Sequence, residues 1–341
     1  MNTFAHILTR ALCIAAFALT HTQALAQSTK PAEASGESEP MNETHVRAFL
    51  LHETGSIKPG ETTTLALHFA IDPEWHMYWN GYAEDGMEPN WELQLPEGLE
   101  VAGDVIWPIP HRSQPSEFVV EHVYEHTLTL LIPLRVADTV PAGEAKVGVK
   151  AKWLVCSDRC IPESGKDTIT LRVGNDPAPK PTQAPAKADH SSRPSQSDAV
   201  KLIENARRDL SRLQPLTGPR AKELGITANI SHAANAATLE LRANDKATAL
   251  TWFPANKCAH PSSDFAAWTA EGNSLDIPLA IDAKSSKSPA SDSKPLGETP
   301  DTAKNHSNSV CVRGILQVKT RDTTHNASEY FVVHVEADAG K

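Results

Sequence analysis

The chain has 341 residues, of which 32 are Lys or Arg and 42 are Asp or Glu, for a formal charge of −10. No cluster of Lys and Arg offsets that balance, which argues against nucleic acid as a partner, because phosphate binding needs grouped cations. Proline is plentiful (25 residues) and aromatics are modest, a composition that suits short strands joined by turns better than a helical bundle.

Residues 1–26 have a weakly positive start, an apolar run over 11–19, and Ala24-Leu25-Ala26 before Gln27. This is the small-x-small pattern of a secretory signal, with cleavage expected after Ala26. Cys13 leaves with the signal, and Arg10-Ala11-Leu12 before it fits a lipoprotein anchor poorly. Beyond Ala26 no stretch reaches the roughly 18 apolar residues needed to cross a bilayer. The mature chain is expected to be soluble and exported to a compartment that permits disulfides. Its length of roughly 315 residues allows about two domains.

Residues 27–42 are polar and predict a disordered leader. Residues 64–71 alternate, with Leu65, Leu67, Phe69 and Ile71 on one face, and predict a half-buried strand after the turn at Lys58-Pro59-Gly60-Glu61. Residues 146–156 do the same, with Val147, Val149, Ala151, Trp153 and Val155 inward and therefore Leu154 and Cys156 on the opposite face. A third strand runs over 168–173. Together these predict an antiparallel β-sandwich over 43–175. Residues 176–197, rich in Pro, Ala, Lys and Ser, read as a linker. Val200, Ile203, Ala206, Leu210 and Leu213 recur at helical spacing and predict a short helix over 198–214, ended by Pro215. A second strand-rich region covers 225–338, with strands at 237–241, 247–253, 275–281, 312–319 and 330–335 and a mobile insertion at 284–309. The fold class predicted is all-β: two tandem immunoglobulin-like β-sandwiches joined by a Pro/Ala-rich linker and a short helix.

Four cysteines remain after processing, and three pairings are open. Cys156 with Cys160 closes a very small ring, worth about 2 kcal/mol on the chain-entropy model, whereas Cys258 with Cys311 closes a long one worth about 4 kcal/mol. The long pair is the better staple, and a structural disulfide is expected there. For the short pair, spacing alone leaves two readings open, a local staple or a dithiol that exchanges electrons.

The segment Trp153-Leu154-Val155-Cys156 through Cys160-Ile161-Pro162-Glu163 resembles the cysteine motif of the periplasmic N-terminal domain of the DsbD and ScsB thiol:disulfide interchange proteins. Further segments are similar in the same order: Glu74-Trp75-His76-Met77-Tyr78-Trp79-Asn80, Leu95-Pro96-Glu97-Gly98, Ile106-Trp107-Pro108 and the stretch around Tyr124. Gly314-Ile315-Leu316 resembles the later part of the ScsB-type periplasmic region. The resemblance implies an immunoglobulin-like sandwich and a catalytic pair, Cys156 and Cys160, with Cys160 forming the mixed disulfide and Cys156 resolving it. It implies a cap loop at Ser116-Glu117-Phe118 that places Phe118 over the sulfurs, with Tyr124 and Tyr78 lining the site or packing in the core. It also implies a membrane thiol reductase as electron donor, and oxidised periplasmic thioredoxin-like or isomerase proteins as acceptors. No cofactor is implied. The family's membrane domain and thioredoxin-like domain have no counterpart in this sequence.

Two other readings stay open beside it. One is a non-catalytic periplasmic binding module whose disulfide is inert. The other is a copper or zinc protein, because His122, Tyr124 and His126 would share one face of a strand, with His111 nearby and the sulfurs of Cys156 and Cys160 as further donors. His76, between apolar neighbours, reads as a hydrogen-bonded structural histidine.

Overall fold

A run that alternates apolar and polar residues builds a strand with one face to bury, and the first half of the chain is a succession of such runs. The computed structural model describes residues 44–81, 86–116, 119–174, 192–233, 236–255, 268–279, 309–321 and 328–338. The signal over 1–26, the leader over 27–42, Phe118, Cys258 and the insertion up to residue 308 lie outside the described residues. The first region holds β1 (Val46–His52), β2 (Ser56–Ile57), β3 (Thr62–Ile71), β4 (His76–Tyr78), β5 (Asn90–Gln94), β6 (Leu99–Val101), β7 (His111–Ser116), β8 (Val119–Glu125), β9 (Thr127–Val136), β10 (Gly143–Cys156) and β11 (Cys160–Val173). One sheet has the order β1-β3-β9-β6, and the other β2-β11-β10-β4-β8-β7, with β5 also paired to β10. Leu65, Leu67, Phe69 and Ile71 of β3 meet Val147, Val149, Trp153 and Val155 of β10 in one buried cluster. Full burial of such side chains is worth about 1.5–3 kcal/mol each.

The side of this layer is closed by carboxylates. Glu163 accepts from the backbone N–H groups of His45 (2.8 Å) and Val46 (3.1 Å) and from Trp153 Nε1 (3.1 Å), and Asp167 accepts from the Leu50 N–H at 2.7 Å. These oxygens on β11 satisfy outward-facing amides of the edge strand β1 that would otherwise lack partners.

The helix α1 (Gln196–Leu210) buries Ala199, Ile203 and Ala206 against Leu51, Ala66 and Leu131 on the outer face of the first sheet. That changes two expectations. The strand expected to be half-buried is buried on both faces from Leu65 to Ile71, because a helix covers the side the alternation left to solvent. The linker expected up to residue 197 is fastened at its end: Arg193 donates to the Leu50 carbonyl (3.1 Å) and pairs with Asp167, and Gln196 Nε2 donates to the His52 carbonyl at 2.7 Å. Ser195 caps α1, accepting from the Asp198 N–H at 3.2 Å. The helix stops at Leu210, short of Pro215, because β12 (Leu213–Pro215) pairs in parallel with a later strand.

After α2 (Pro219–Glu223) the second region contains β13 (Thr227–Ala233), β14 (Ala236–Arg242), β15 (Ala247–Pro254), β16 (Thr269–Glu271), β17 (Ser274–Leu279), β18 (Ser309–Thr320) and β19 (Glu329–Asp338). A five-stranded sheet, β12-β19-β18-β15-β16, and a three-stranded sheet, β13-β14-β17, share a second core built on Leu239, Ile277, Trp252, Leu316 and Phe331. The fold is all-β; the described residues include two helices, α1 and α2, and among them no helix is long and apolar enough to cross a membrane.

The two regions meet along a seam. Phe253 and Ile315 of the second region belong to the first core, Val120 of β8 belongs to the second, and Gly81 bridges Ala255. A Cβ at Gly314 would lie 2.3 Å from the Phe253 carbonyl oxygen, so the approach of β18 to β15 there requires glycine.

Candidate redox site

β10 and β11 form one hairpin with 14-residue arms whose last cross-strand pair is Cys156 with Cys160. Ser157, Asp158 and Arg159 make the turn, the first two being residue types that favour tight reversals, and the Ser157 N–H donates to the Arg159 carbonyl at 3.1 Å. The two cysteines are joined as a disulfide with Cα atoms 4.1 Å apart. Strand parity gives them their surroundings. Val155 and Trp153 point into the core, so Leu154 and Cys156 face the other way.

On that outer face Cys156 packs with Tyr78 and Val123. β4 lies beside β10 with His76 opposite Cys156, and on its other edge β4 pairs with β8, placing Tyr78 opposite Val123 and His76 opposite Glu125. The two sulfurs differ in access. Cys156 is 2% exposed, whereas Cys160 lies on the exposed tip.

A polar group borders Cys160. The Tyr78 hydroxyl lies 3.9 Å from Cys160 Sγ, donates to Glu121 Oε1 at 3.1 Å, and is 3.4 Å from His76 Nε2. His76 Nε2 is 3.7 Å from the other oxygen of Glu121. Burial holds the His76 imidazole below its usual pKa against the opposing pull of Glu121 and Glu125. The ring of Tyr78 is pressed by the chain at Gly86, where a Cβ would come within 2.1 Å of it, so only glycine fits there.

Tyr124 lies on the other face of β8. It is buried in the first core, stacks on Trp107, and its hydroxyl donates to the Pro108 carbonyl at 2.7 Å; burial raises its pKa well above the usual value. Tyr78 thus borders the sulfurs and Tyr124 packs in the core. The Phe118 cap lies outside the described residues. Cys311, on β18, is disulfide-bonded, and its expected partner Cys258 lies outside the described residues.

The imidazoles considered for a metal do not converge. His122 is buried at the seam, 4.9 Å from the Phe253 ring and stacked on Trp268 at 5.9 Å. His126 sits exposed at the turn into β9 with φ +63°, and His111 opens β7 on the exposed surface. Among the described residues no three of His, Cys, Asp and Glu are grouped to hold a metal ion. His126 lies past the end of β8 in a left-handed conformation, so the strand parity that grouped it with His122 does not extend to it.

Sequence reasoning passed over Glu121. Its signal was present in the parity of β8, which puts 121, 123 and 125 opposite Tyr124, but only the pairing of β8 with β4 brings that face to Tyr78.

The site is thus a disulfide at the tip of a hairpin, with one shielded and one accessible sulfur. Residues 48–171 match the family model described as the N-terminal region of the thiol:disulfide interchange protein DsbD, and this stretch is a domain of that type. The fold is also similar to the N-terminal periplasmic domain of ScsB from Proteus mirabilis (13% identity, 85% of this chain and 91% of that one, TM-score 0.43). A second solved structure, the reduced N-terminal domain of DsbD from Neisseria meningitidis, aligns at 14% identity over 38% of this chain and 90% of that one, with a TM-score of 0.25. No curated protein matches the chain in sequence.

Proposed function

We propose that the protein is a periplasmic thiol:disulfide interchange module in which Cys156 and Cys160 alternate between dithiol and disulfide. The observation that carries this reading is the placement of the pair: a bond at a hairpin tip, one sulfur buried and one exposed, inside the segment that matches the interchange family. Exchange proceeds when a thiolate attacks one sulfur of a disulfide and displaces the other. Only Cys160 is open to a partner, so it forms the mixed disulfide. Cys156, bonded to it in the oxidised form, is placed to attack Cys160 and release the partner as a thiol. Both electrons are carried by the dithiol and pass to the partner as one sulfur–sulfur bond forms and another breaks, so the exchange itself calls for no cofactor. In this reading the chain is exported by its N-terminal signal, receives electrons from a membrane thiol reductase, and passes them to oxidised thioredoxin-like or isomerase proteins.

Equilibration of the purified protein in redox buffers tests the reading. The pair should titrate above the roughly −300 mV below which structural disulfides sit. Cys156→Ser should accumulate a mixed disulfide through Cys160, which Cys160→Ser does not. A pair that stays oxidised well below that potential would show the bond to be inert.

A further inference from the structure

We propose that Glu121, acting through the Tyr78 hydroxyl, holds reduced Cys160 in its thiol form. This deepens the exchange reading above and rests on it. Tyr78 has one hydroxyl hydrogen and donates it to Glu121 Oε1 at 3.1 Å. The phenol oxygen lies 3.9 Å from Cys160 Sγ, which in the disulfide carries no hydrogen. Once the bond is reduced, and while the hydroxyl hydrogen stays on Glu121, that oxygen can take a hydrogen bond from the Cys160 S–H group and offers no proton to a thiolate. The carboxylate behind it acts in the same direction, because a nearby negative charge disfavours a second anion.

The remaining groups around the hydroxyl do not reverse this. His76, on the same strand, is 3.4 Å from the hydroxyl, and burial holds its ring below the usual pKa, which favours the neutral imidazole. A neutral imidazole beside this oxygen offers a ring N–H and no positive charge to draw out a thiolate. Glu125, opposite His76 on β8, adds a second carboxyl side chain and no cation. Cys156 is the neighbouring thiol once the bond is reduced. Arg159, next to Cys160 in the turn, favours a thiolate, but it is exposed and its field is screened by water.

The chemical consequence lies in selectivity. Thiolate is both the nucleophile and the species that oxidants attack. An exposed sulfur kept as a thiol is spared from oxidation in passing and gives up its proton only when a partner disulfide is in place. Then Cys160 forms a bond to one partner sulfur, the partner's own S–S bond breaks, and the departing sulfur takes the electron pair and a proton through solvent. The step exchanges one thiol and one disulfide for another of each.

The test is the pH dependence of Cys160 alkylation by iodoacetamide, measured on the full chain carrying Cys156→Ser. Adding Glu121→Gln should lower the midpoint by about one unit, which gives about tenfold more thiolate and faster alkylation at pH 7. Tyr78→Phe, which removes the acceptor without touching the carboxylate, should lower it as well. A midpoint unchanged or raised by Glu121→Gln overturns the proposal, and so does a midpoint raised by Tyr78→Phe, since the hydroxyl would then be donating to the thiolate. Loss of fold stability with an unmoved pH profile assigns both residues a purely structural role and also overturns it. Failure of the exchange reading is seen separately, as a native pair that does not equilibrate with redox buffers, while the alkylation midpoint stays readable.

Discussion

The bonds at Cys156–Cys160 and at Cys311 both sit on long antiparallel hairpins, one at the tip of β10–β11 and the other near the end of β18–β19, where Cys311 lies opposite Glu336. They differ in how much of the chain they constrain. The tip bond joins two residues that the ladder already holds opposite one another across a three-residue turn, so it removes little freedom from the unfolded chain. Thirteen further register pairs, from Gly143 with Val173 to Val155 with Ile161, hold the hairpin besides it. The bond at Cys311 cannot be satisfied within its own hairpin, whose strands carry no second cysteine. It reaches to another part of the chain and closes a longer loop. A redox pair is best placed where the fold does not depend on it, and a staple where it does.

The largest effect expected from this contrast comes from Cys311→Ser. If Cys258 is its partner, as mass mapping of the non-reduced protein would establish, the variant should lose about 4 kcal/mol in denaturant unfolding. The redox potential of Cys156 and Cys160 should not move. A variant of equal stability, or one whose potential shifts, would break the division into one structural and one redox pair.

Acid should sharpen the contrast from the other side. His52 and His68, both in the first region, have pKa values lowered from 6.5 to about 4 by burial, with Glu53 opposing the shift at His52. In the unfolded chain these rings take up protons near pH 6.5, while in the fold they stay neutral. Stability is therefore complete above about pH 6.5 and is lost as pH falls toward 4, by about 3 kcal/mol for each ring. Hydrogen exchange at pH 4.5 should show β1, β3 and β9 opening before β14 and β17. Uniform loss of protection would contradict this.

The smallest effect concerns the helix that binds the outer face of the first sheet. Ser195→Ala removes the cap of α1 and should cost about 1 kcal/mol, read as a lower unfolding midpoint. The potential of the cysteine pair on the far sheet should be unaffected.

Much of the architecture was legible in local pattern. Alternation placed Leu65, Leu67, Phe69 and Ile71 on one face of β3, and it turned Cys156 away from the side that Trp153 and Val155 bury, because a strand repeats every two residues whatever it later pairs with. Other elements left weaker traces. β11 starts at Cys160, eight residues before the recognisable alternation at 168, since Pro162 and Gly165 interrupt its pattern and its outer face is exposed. β4 has only three residues, and β13 alternates around polar Asn229, Ser231 and His232.

The sequence by itself determined the strand-rich class and the spacing that puts two sulfurs within bonding reach across a tight turn. Both follow from short-range periodicity and residue chemistry. Only the tertiary structure decided that α1 covers the first sheet, that His122 is walled in by Phe253 and Trp268 at the seam, and that Glu121 and His76 meet at Tyr78 beside Cys160. Those juxtapositions depend on which strand lies next to which, here β8 beside β4 and β4 beside β10, pairings between residues tens of positions apart that no local repeat encodes.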